Sequence, residues 1–375
     1  MKVEKMSFLS DELAGRELVP LLVHNDGTPV TRESWEKRRR GELLELLYVN
    51  SYGRTPPAPK EVRGEVKSVV KTAFASKATD KTVIISFDTP GGEFSFPIHI
   101  YTPNNVDNPP CFLYIKGRQG IFPDPYCPTE EIIEHGFAII QFCHDDICRD
   151  TKGEDFDTGL NGCFRTPGSA RTSEEWGRIG AWAYGCSRVM DYLVNSDDCG
   201  VDAARVALVG QSRLGKTVLW ASAQDERFFM TCSNNSGFGG AAIHKKGTGE
   251  RVADFIRAGS WNWYCENFKG YLGKEDENTT YDQHMLLALT APRHICVGSA
   301  ALDRGADPKS EFLNCYAQNE VYELLGITGL VTPDRYPDPD THLYEGNISY
   351  HLRSGSHFIS RTDWLYYMDY FDRVR

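Results

Sequence analysis

Apolar positions along the chain change their pattern near residue 111. Upstream, Val62–Phe74, Thr82–Phe87 and Phe94–Tyr101 are short β-branched and aromatic stretches, the last two separated by the turn residues Pro90-Gly91-Gly92. This spacing predicts antiparallel strands at the entrance to a sheet. Downstream, Cys111–Ile115, Phe137–Phe142, Arg205–Val209, Phe229–Cys232, Ile295–Ser299 and Ile348–Leu352 are almost continuously apolar. Runs of that length without alternation suit strands buried on both faces of a parallel sheet. Between the second and third runs Trp176, Ile179, Ala183, Cys186, Met190 and Leu193 recur every three or four residues, which predicts a helix, and Thr172 and Glu175 have capping-box spacing ahead of it. Another helix is predicted over Ser34–Tyr48, before the breakers Pro56, Pro57 and Pro59. Alternation of strand and helix predicts an α/β class with a doubly wound, mostly parallel sheet. No internal repeat or low-complexity linker divides the chain. The expected organisation is an N-terminal extension over 1–60 and one domain over 61–375, with insertions near 144–172 and 240–285.

Composition narrows the function classes. The 375 residues carry a formal net charge of −11, so a nucleic acid, whose phosphates need a Lys/Arg field, is not expected as a partner. No window approaches the roughly 18 apolar residues of a membrane span, and no membrane partner is expected. Met1–Leu13 is charged and has no apolar core of the kind a signal peptide needs. The 11 cysteines are odd in number and lack CxxC pairs, and Cys111, Cys143, Cys232 and Cys296 sit inside apolar runs. Buried, reduced thiols and a cytoplasmic location are the expectation. No Cys/His cluster has zinc-ligand spacing, so no metal is expected.

The chemistry concentrates at Arg205–Thr217, where a buried strand ends at Gly210 and a helix is predicted to begin near Arg213. A serine at a sharp strand-to-helix turn presents its hydroxyl above the sheet, and the crowded turn demands small neighbours. Gly210 lies two residues before Ser212 and Gly215 three after it. The backbone N–H of Arg213 would face a developing oxyanion at the helix start. The same letters, Gly210-x-x-x-x-Gly215-Lys216-Thr217, also match a phosphate loop. That reading requires the motif on an early strand and a later strand ending in a magnesium-binding Asp, and neither condition is met. A third reading is an inert turn.

A serine nucleophile calls for an acid and then a histidine further along, each after a strand. Of the histidines beyond Ile295–Ser299, His351 falls within a predicted strand and His342 in a Pro/Asp-rich loop. His357 follows Arg353-Ser-Gly-Ser just past the last strand, within reach of Ser212 as general base. Asp303 is the first carboxylate after Ile295–Ser299 and Asp307 the second; the shorter loop favours Asp303. Lys216, four residues after Ser212, shares its helix face.

Gly210-Gln-Ser-Arg-Leu-Gly-Lys216 resembles the G-x-S-R-x-G-K signature of glucuronoyl esterases, carbohydrate esterase family 15. Trp220–Arg227, Ser233–Gly237, Trp263–Phe268, Asp282–Arg293, Ala306–Phe312 and Tyr350–His357 resemble bacterial members of that family in order, over roughly 175–372. The resemblance implies an α/β-hydrolase three-layer αβα sandwich without cofactor. It implies a small-molecule or oligosaccharide ester of (4-O-methyl)glucuronate or a related uronate as substrate. It also implies Ser212 as nucleophile, His357 as base, Arg213 at the oxyanion by backbone and guanidinium, Lys216 on uronate hydroxyls and Glu250 on the sugar. Fungal members carry their acid as a Glu before Ser-Gly, where this chain has Asn235, so the resemblance implies an acid at the later position and supports Asp303, with Asp307 still open. Bacterial members commonly have a Trp two residues after the Asp303 position, and Gly305 stands there. That departure keeps an acetyl- or aryl-esterase, or a carbohydrate-binding pseudo-esterase, open as alternatives.

Overall fold

The computed structural model of the chain describes residues 9–118, 124–151, 155–196, 199–271 and 278–375. One ten-stranded sheet organises them: β1 Arg63–Thr72, β2 Ala78–Thr89, β3 Gly92–Pro103, β4 Cys111–Lys116, β5 Ala138–Cys143, β6 Val206–Gln211, β7 Met230–Asn234, β8 His294–Ala300, β9 Thr341–Leu343 and β10 Ile348–Arg353. Their spatial order is β1-β2-β3-β5-β4-β6-β7-β8-β10-β9. β1, β2 and β3 run antiparallel as a meander, and Thr89 pairs with Gly92 across the Pro90-Gly91 turn. β5, β4, β6, β7, β8 and β10 are parallel to one another. All six apolar runs are therefore the parallel strands, for the reason the pattern suggested: helices cover both faces. In β4, Leu113 and Ile115 join one core cluster while Phe112 and Tyr114 join the other; in β6, Leu208 and Val209 divide the same way. The helices Arg178–Asn195 and Arg213–Gln224 line the first face, and Arg361–Val374 covers the second with Trp364, Met368 and Phe371. This is the α/β-hydrolase fold.

Strand order places a switch at β4. The chain passes from β4 to β5 on one side and then returns across β4 to β6 on the other. Loops leaving the carboxyl ends of β4 and β6 therefore diverge and leave a crevice, the usual place for a ligand in such sheets.

Two local expectations need correction. The helix expected from Thr172 begins at Arg178, with Gly177 as its N-cap. Thr172 N–H does reach the Glu175 carboxylate at 3.3 Å, but inside a preceding turn. The helix start is instead set by a close approach, because a Cβ on Gly177 would lie 2.2 Å from the Trp263 carbonyl oxygen. His342 lies on the short edge strand β9, not in a loop. The described residues before Lys60 pack into the main core through Trp35, Leu43, Leu47 and Tyr52. All 11 cysteines are free, and ten are buried. Among the described residues no helix is long and apolar enough to cross a membrane.

Candidate active site

Ser212 is the hinge between β6 and the helix Arg213–Gln224. Its backbone sits at φ 59°, ψ −126°, a region non-glycine residues rarely occupy. The turn closes only because its flanks lack side chains. A Cβ on Gly210 would lie 2.2 Å from the Leu214 carbonyl oxygen, and one on Gly215 would lie 2.8 Å from the Ser236 Cβ. Helix and strand are thereby pressed together, and the serine is pushed out above the carboxyl edge of the sheet.

His357 arrives on the loop after β10, which a buried hub holds in place. The Asp363 carboxylate accepts from His351 Nε2 and from Arg353 Nε, both at 2.8 Å, and caps the last helix with Ser360. The Arg353 guanidinium in turn donates to the Ser354, Ser356 and Phe358 carbonyls. His351 is thus a structural histidine, and the loop carrying His357 is tied down by its neighbours. The loop after β8 is stitched to it: Ala301 N–H donates to the Arg353 carbonyl and Leu302 N–H to that of Gly355, both at 2.9 Å.

These elements bring three distant side chains into line. Ser212 Oγ is 2.9 Å from His357 Nε2, and His357 Nδ1 is 2.6 Å from Asp303 Oδ2. With Nδ1–H directed at the carboxylate, Nε2 is left as the acceptor for the serine hydroxyl, the tautomer proton abstraction requires. The Gln211 amide nitrogen also approaches Nε2, at 3.1 Å. Asp303, and not Asp307, meets the histidine. Asp307 accepts from Ser310 N–H at 3.1 Å as a helix cap and from Thr248 N–H at 2.7 Å. Those bonds outweigh burial and lower its pKa. Asn235 stands where an acid would follow the fungal pattern. Its side chain accepts from Ala300 N–H at 2.8 Å and donates to the Phe358 carbonyl at 3.3 Å, joining the two loops.

Arg213 opens its helix with a backbone N–H that has no partner inside that helix. Its guanidinium forms an ion pair with Asp150 at 2.9 Å and lies 3.1 Å from His144 Nε2. Burial, followed by the Arg213 charge, pushes the His144 pKa down to about 4. A neutral imidazole can accept a hydrogen bond from the guanidinium at Nε2, while Nδ1 lies 3.7 Å from the Cys143 sulfur. Asp150 also accepts from Trp263 Nε1 at 2.8 Å, and Asn262 donates to the Thr151 carbonyl at 2.7 Å. The segments 144–172 and 240–285 therefore meet over the crevice.

Lys216 is buried, and its ammonium donates to the carbonyls of Ser236 and Phe238, the latter at 2.6 Å. Burial lowers its pKa, against the opposing pull of Glu250, 4.0 Å away. A lysine turned onto backbone carbonyls, instead of toward a ring of free N–H groups, does not make a phosphate cradle. Lys216, Glu250, Trp263, Asn235 and Gly305 line a cavity of about 180 Å3 that also contains Ser212, His357 and Asp303. All six residues expected at the site (Ser212, His357, Asp303, Arg213, Lys216 and Glu250) are thus gathered within one region.

Trp263, Asp150 and His144 were not among those expected. His144 and Asp150 meet Arg213 across 69 and 63 residues and Trp263 meets Asp150 across 113, and no local pattern marks such contacts. Cys143, His144 and Asp145 have side-chain ligand atoms within 4.8 Å of one another, the sole such group among the described residues. His144 Nε2 faces the Arg213 guanidinium, a cation that opposes a second one there, and burial raises the Cys143 thiol to about 11, so the trio does not suit a metal.

Comparison with known proteins bears on the family and the fold. The profile of the family described as "Glucuronyl esterase, fungi" matches residues 85–326. The carbohydrate esterase MZ0003 of an unknown prokaryotic organism is 33% identical over 396 residues, covering 94% of this chain and 88% of its own. A 4-O-methyl-glucuronoyl methylesterase of Podospora anserina is 29% identical over 74% of this chain, which spans 54% of that longer protein. Among solved structures, a glucuronoyl esterase from Solibacter usitatus superposes with a TM-score of 0.85 at 34% identity, covering 95% of this chain and 97% of that one. A promiscuous CE15 esterase from a marine bacterial metagenome gives 0.84 at 32%, covering 95% and 96%. With this fold, these matched residues and this degree of identity, the chain belongs to the glucuronoyl esterase family, the carboxylic ester hydrolases of carbohydrate esterase family 15.

Proposed function

We propose that the chain hydrolyses carboxylate esters of (4-O-methyl)glucuronate or a related uronate through an acyl-enzyme on Ser212. The observation carrying this is the unbroken chain from Ser212 Oγ through His357 to Asp303, at 2.9 and 2.6 Å, beside a polar cavity. His357 takes the hydroxyl proton as Oγ bonds to the ester carbonyl carbon. The oxyanion forms against the Arg213 N–H and guanidinium, and His357 returns the proton to the departing alcohol. Water then repeats the sequence and releases the uronate. Lys216 and Glu250 offer a donor and an acceptor to ring hydroxyls.

A second reading, a less selective acetyl- or aryl-esterase, is favoured by Gly305. A Cβ there would meet nothing closer than 3.8 Å, so no side chain covers that edge of the cavity. Methyl glucuronate and p-nitrophenyl acetate, each normalised to its rate with hydroxide, separate the readings. The uronate ester is expected to show the larger enhancement in kcat/KM; a larger one for the acetate would replace the first reading with the second.

Asp150 is a positioning residue in this scheme, because it holds Arg213 and Trp263 with its two oxygens. Asp150→Asn keeps an acceptor for Trp263 but removes the charge facing Arg213. It is expected to lower kcat by about tenfold or more with little change in KM, since a charge-assisted bond is worth roughly 1.5–3 kcal/mol. Trp263→Phe leaves the ion pair intact and is expected to raise KM instead. If both variants moved kcat and KM alike, Asp150 would have only a structural role.

A further inference from the structure

Ser212 and His357 stand between two cavities that share only those two lining residues. The smaller holds Lys216 and Glu250. The larger, about 330 Å3, lies at the carboxyl end of β4 and is walled by Tyr114, Tyr126 and Phe358. An ester's acyl and alcohol halves leave the carbonyl carbon in different directions. If the smaller cavity takes the uronate, as proposed above, the larger receives the alcohol.

Two cations line this second cavity, Lys116 and Arg118. Lys116 is only 8% exposed. Among the described residues neither cation has a carboxylate within ion-pair distance. Arg118 lies over the Tyr126 ring, 4.9 Å from its centroid. Among the described residues the one carboxylate on the cavity wall, Asp124, accepts the Tyr126 backbone N–H at 2.9 Å. Arg213, the third cation of the lining, is already matched by Asp150. Burying an ammonium without a counter-charge is costly, and the cost is recovered when an anion enters. The surplus stands out in a chain whose net charge is −11.

We infer that the larger cavity binds the alcohol half of the ester and that Lys116 and Arg118 select an alcohol bearing a carboxylate. On collapse of the tetrahedral adduct the bond between the carbonyl carbon and the alcohol oxygen breaks, that oxygen takes the proton held by His357, and the anionic alcohol departs through this cavity.

Three glucuronate esters of matched size test the inference: benzyl, para-carboxybenzyl and para-aminomethylbenzyl. The expected order of kcat/KM is carboxy, neutral, amino. The first should lead the second by about tenfold at low ionic strength, and the lead should shrink as salt shortens the Debye length to about 8 Å. Lys116→Met and Arg118→Gln should each reduce the carboxy-to-neutral ratio, and together bring it to about one. Arg118 is exposed, so its variant and the salt series stand even if the Lys116 variant fails to fold. A ratio of one or less in the unaltered protein, or a ratio that survives both substitutions, overturns the inference. The same alcohols as acetate esters separate it from the uronate reading. Carboxylate preference on acetates without uronate turnover defeats that reading alone, whereas uronate turnover without the preference defeats this inference alone. Calorimetry of para-(hydroxymethyl)benzoate against benzyl alcohol on the Ser212→Ala protein reads the preference without turnover.

Discussion

Replacing Ser212 by alanine is expected to lower kcat on methyl glucuronate by about 10⁴-fold or more, with the melting temperature unchanged or slightly raised. The two halves of this result have separate causes. The rate falls because the hydroxyl 2.9 Å from His357 Nε2 is removed and no acyl-enzyme can form. Stability does not fall because the turn is held by its backbone and by its glycine contacts. Ser212 N–H donates to the Asn234 carbonyl at 2.9 Å, Gly210 and Gly215 let the helix close, and alanine preserves all of these. The Ser212–His357 bond is exposed, so its loss costs the fold little. A fluorophosphonate probe followed by mass spectrometry gives the complementary readout, with an adduct on Ser212 in the unaltered protein and none in the variant. Retention of more than a tenth of the activity by the alanine protein would remove Ser212 from the mechanism.

The second large effect is expected at Asp303. Asp303→Asn should cost about 10³- to 10⁴-fold in kcat, because an amide opposite Nδ1 can donate to that nitrogen and so favours the tautomer whose Nε2 carries the proton. Such a histidine cannot accept from Ser212. KM should move little, since Asp303 contacts the imidazole and not the acyl group's polar partners. Asp307→Asn is the control. Asp307 caps a helix with one oxygen and accepts from Thr248 N–H with the other, which an amide nitrogen cannot do, so the substitution is expected to cost about 1 kcal/mol of stability and to leave kcat within about threefold of the unaltered protein. Circular dichroism melts and initial rates on the same preparations separate the two. Equal kinetic losses from both substitutions would mean that the 303–307 loop, and not the carboxylate at 303, is what matters.

The legibility of this protein differs between its parts for identifiable reasons. The six parallel strands were readable because each is buried on both faces and so carries a short apolar run. The turn at Ser212 was readable because close packing admits only glycine at 210 and 215, and that constraint is written in adjacent letters. The helix start at Arg178 is not legible in the sequence because a capping spacing is a local signal that a turn can also satisfy, whereas the actual start depends on the contact of Gly177 with Trp263, 86 residues away. The choice between Asp303 and Asp307 could be ranked but not made, since both follow the same strand closely; the geometry of the loop assigns one to His357 and the other to the helix that follows.

By itself, then, the sequence determined the class of sheet, the serine turn and the family, all of which rest on burial period or on contiguous residues. Tertiary structure alone decided what surrounds the serine: Asp150 linking Arg213 to Trp263, Asn235 and Arg353 tying the histidine loop, and Lys116 and Arg118 brought to one cavity with Ser212 by the neighbouring strands β4 and β6. Such contacts join positions far apart in the chain. Their energies depend on distances that chain order does not encode, and they come into being only when the sheet has assembled.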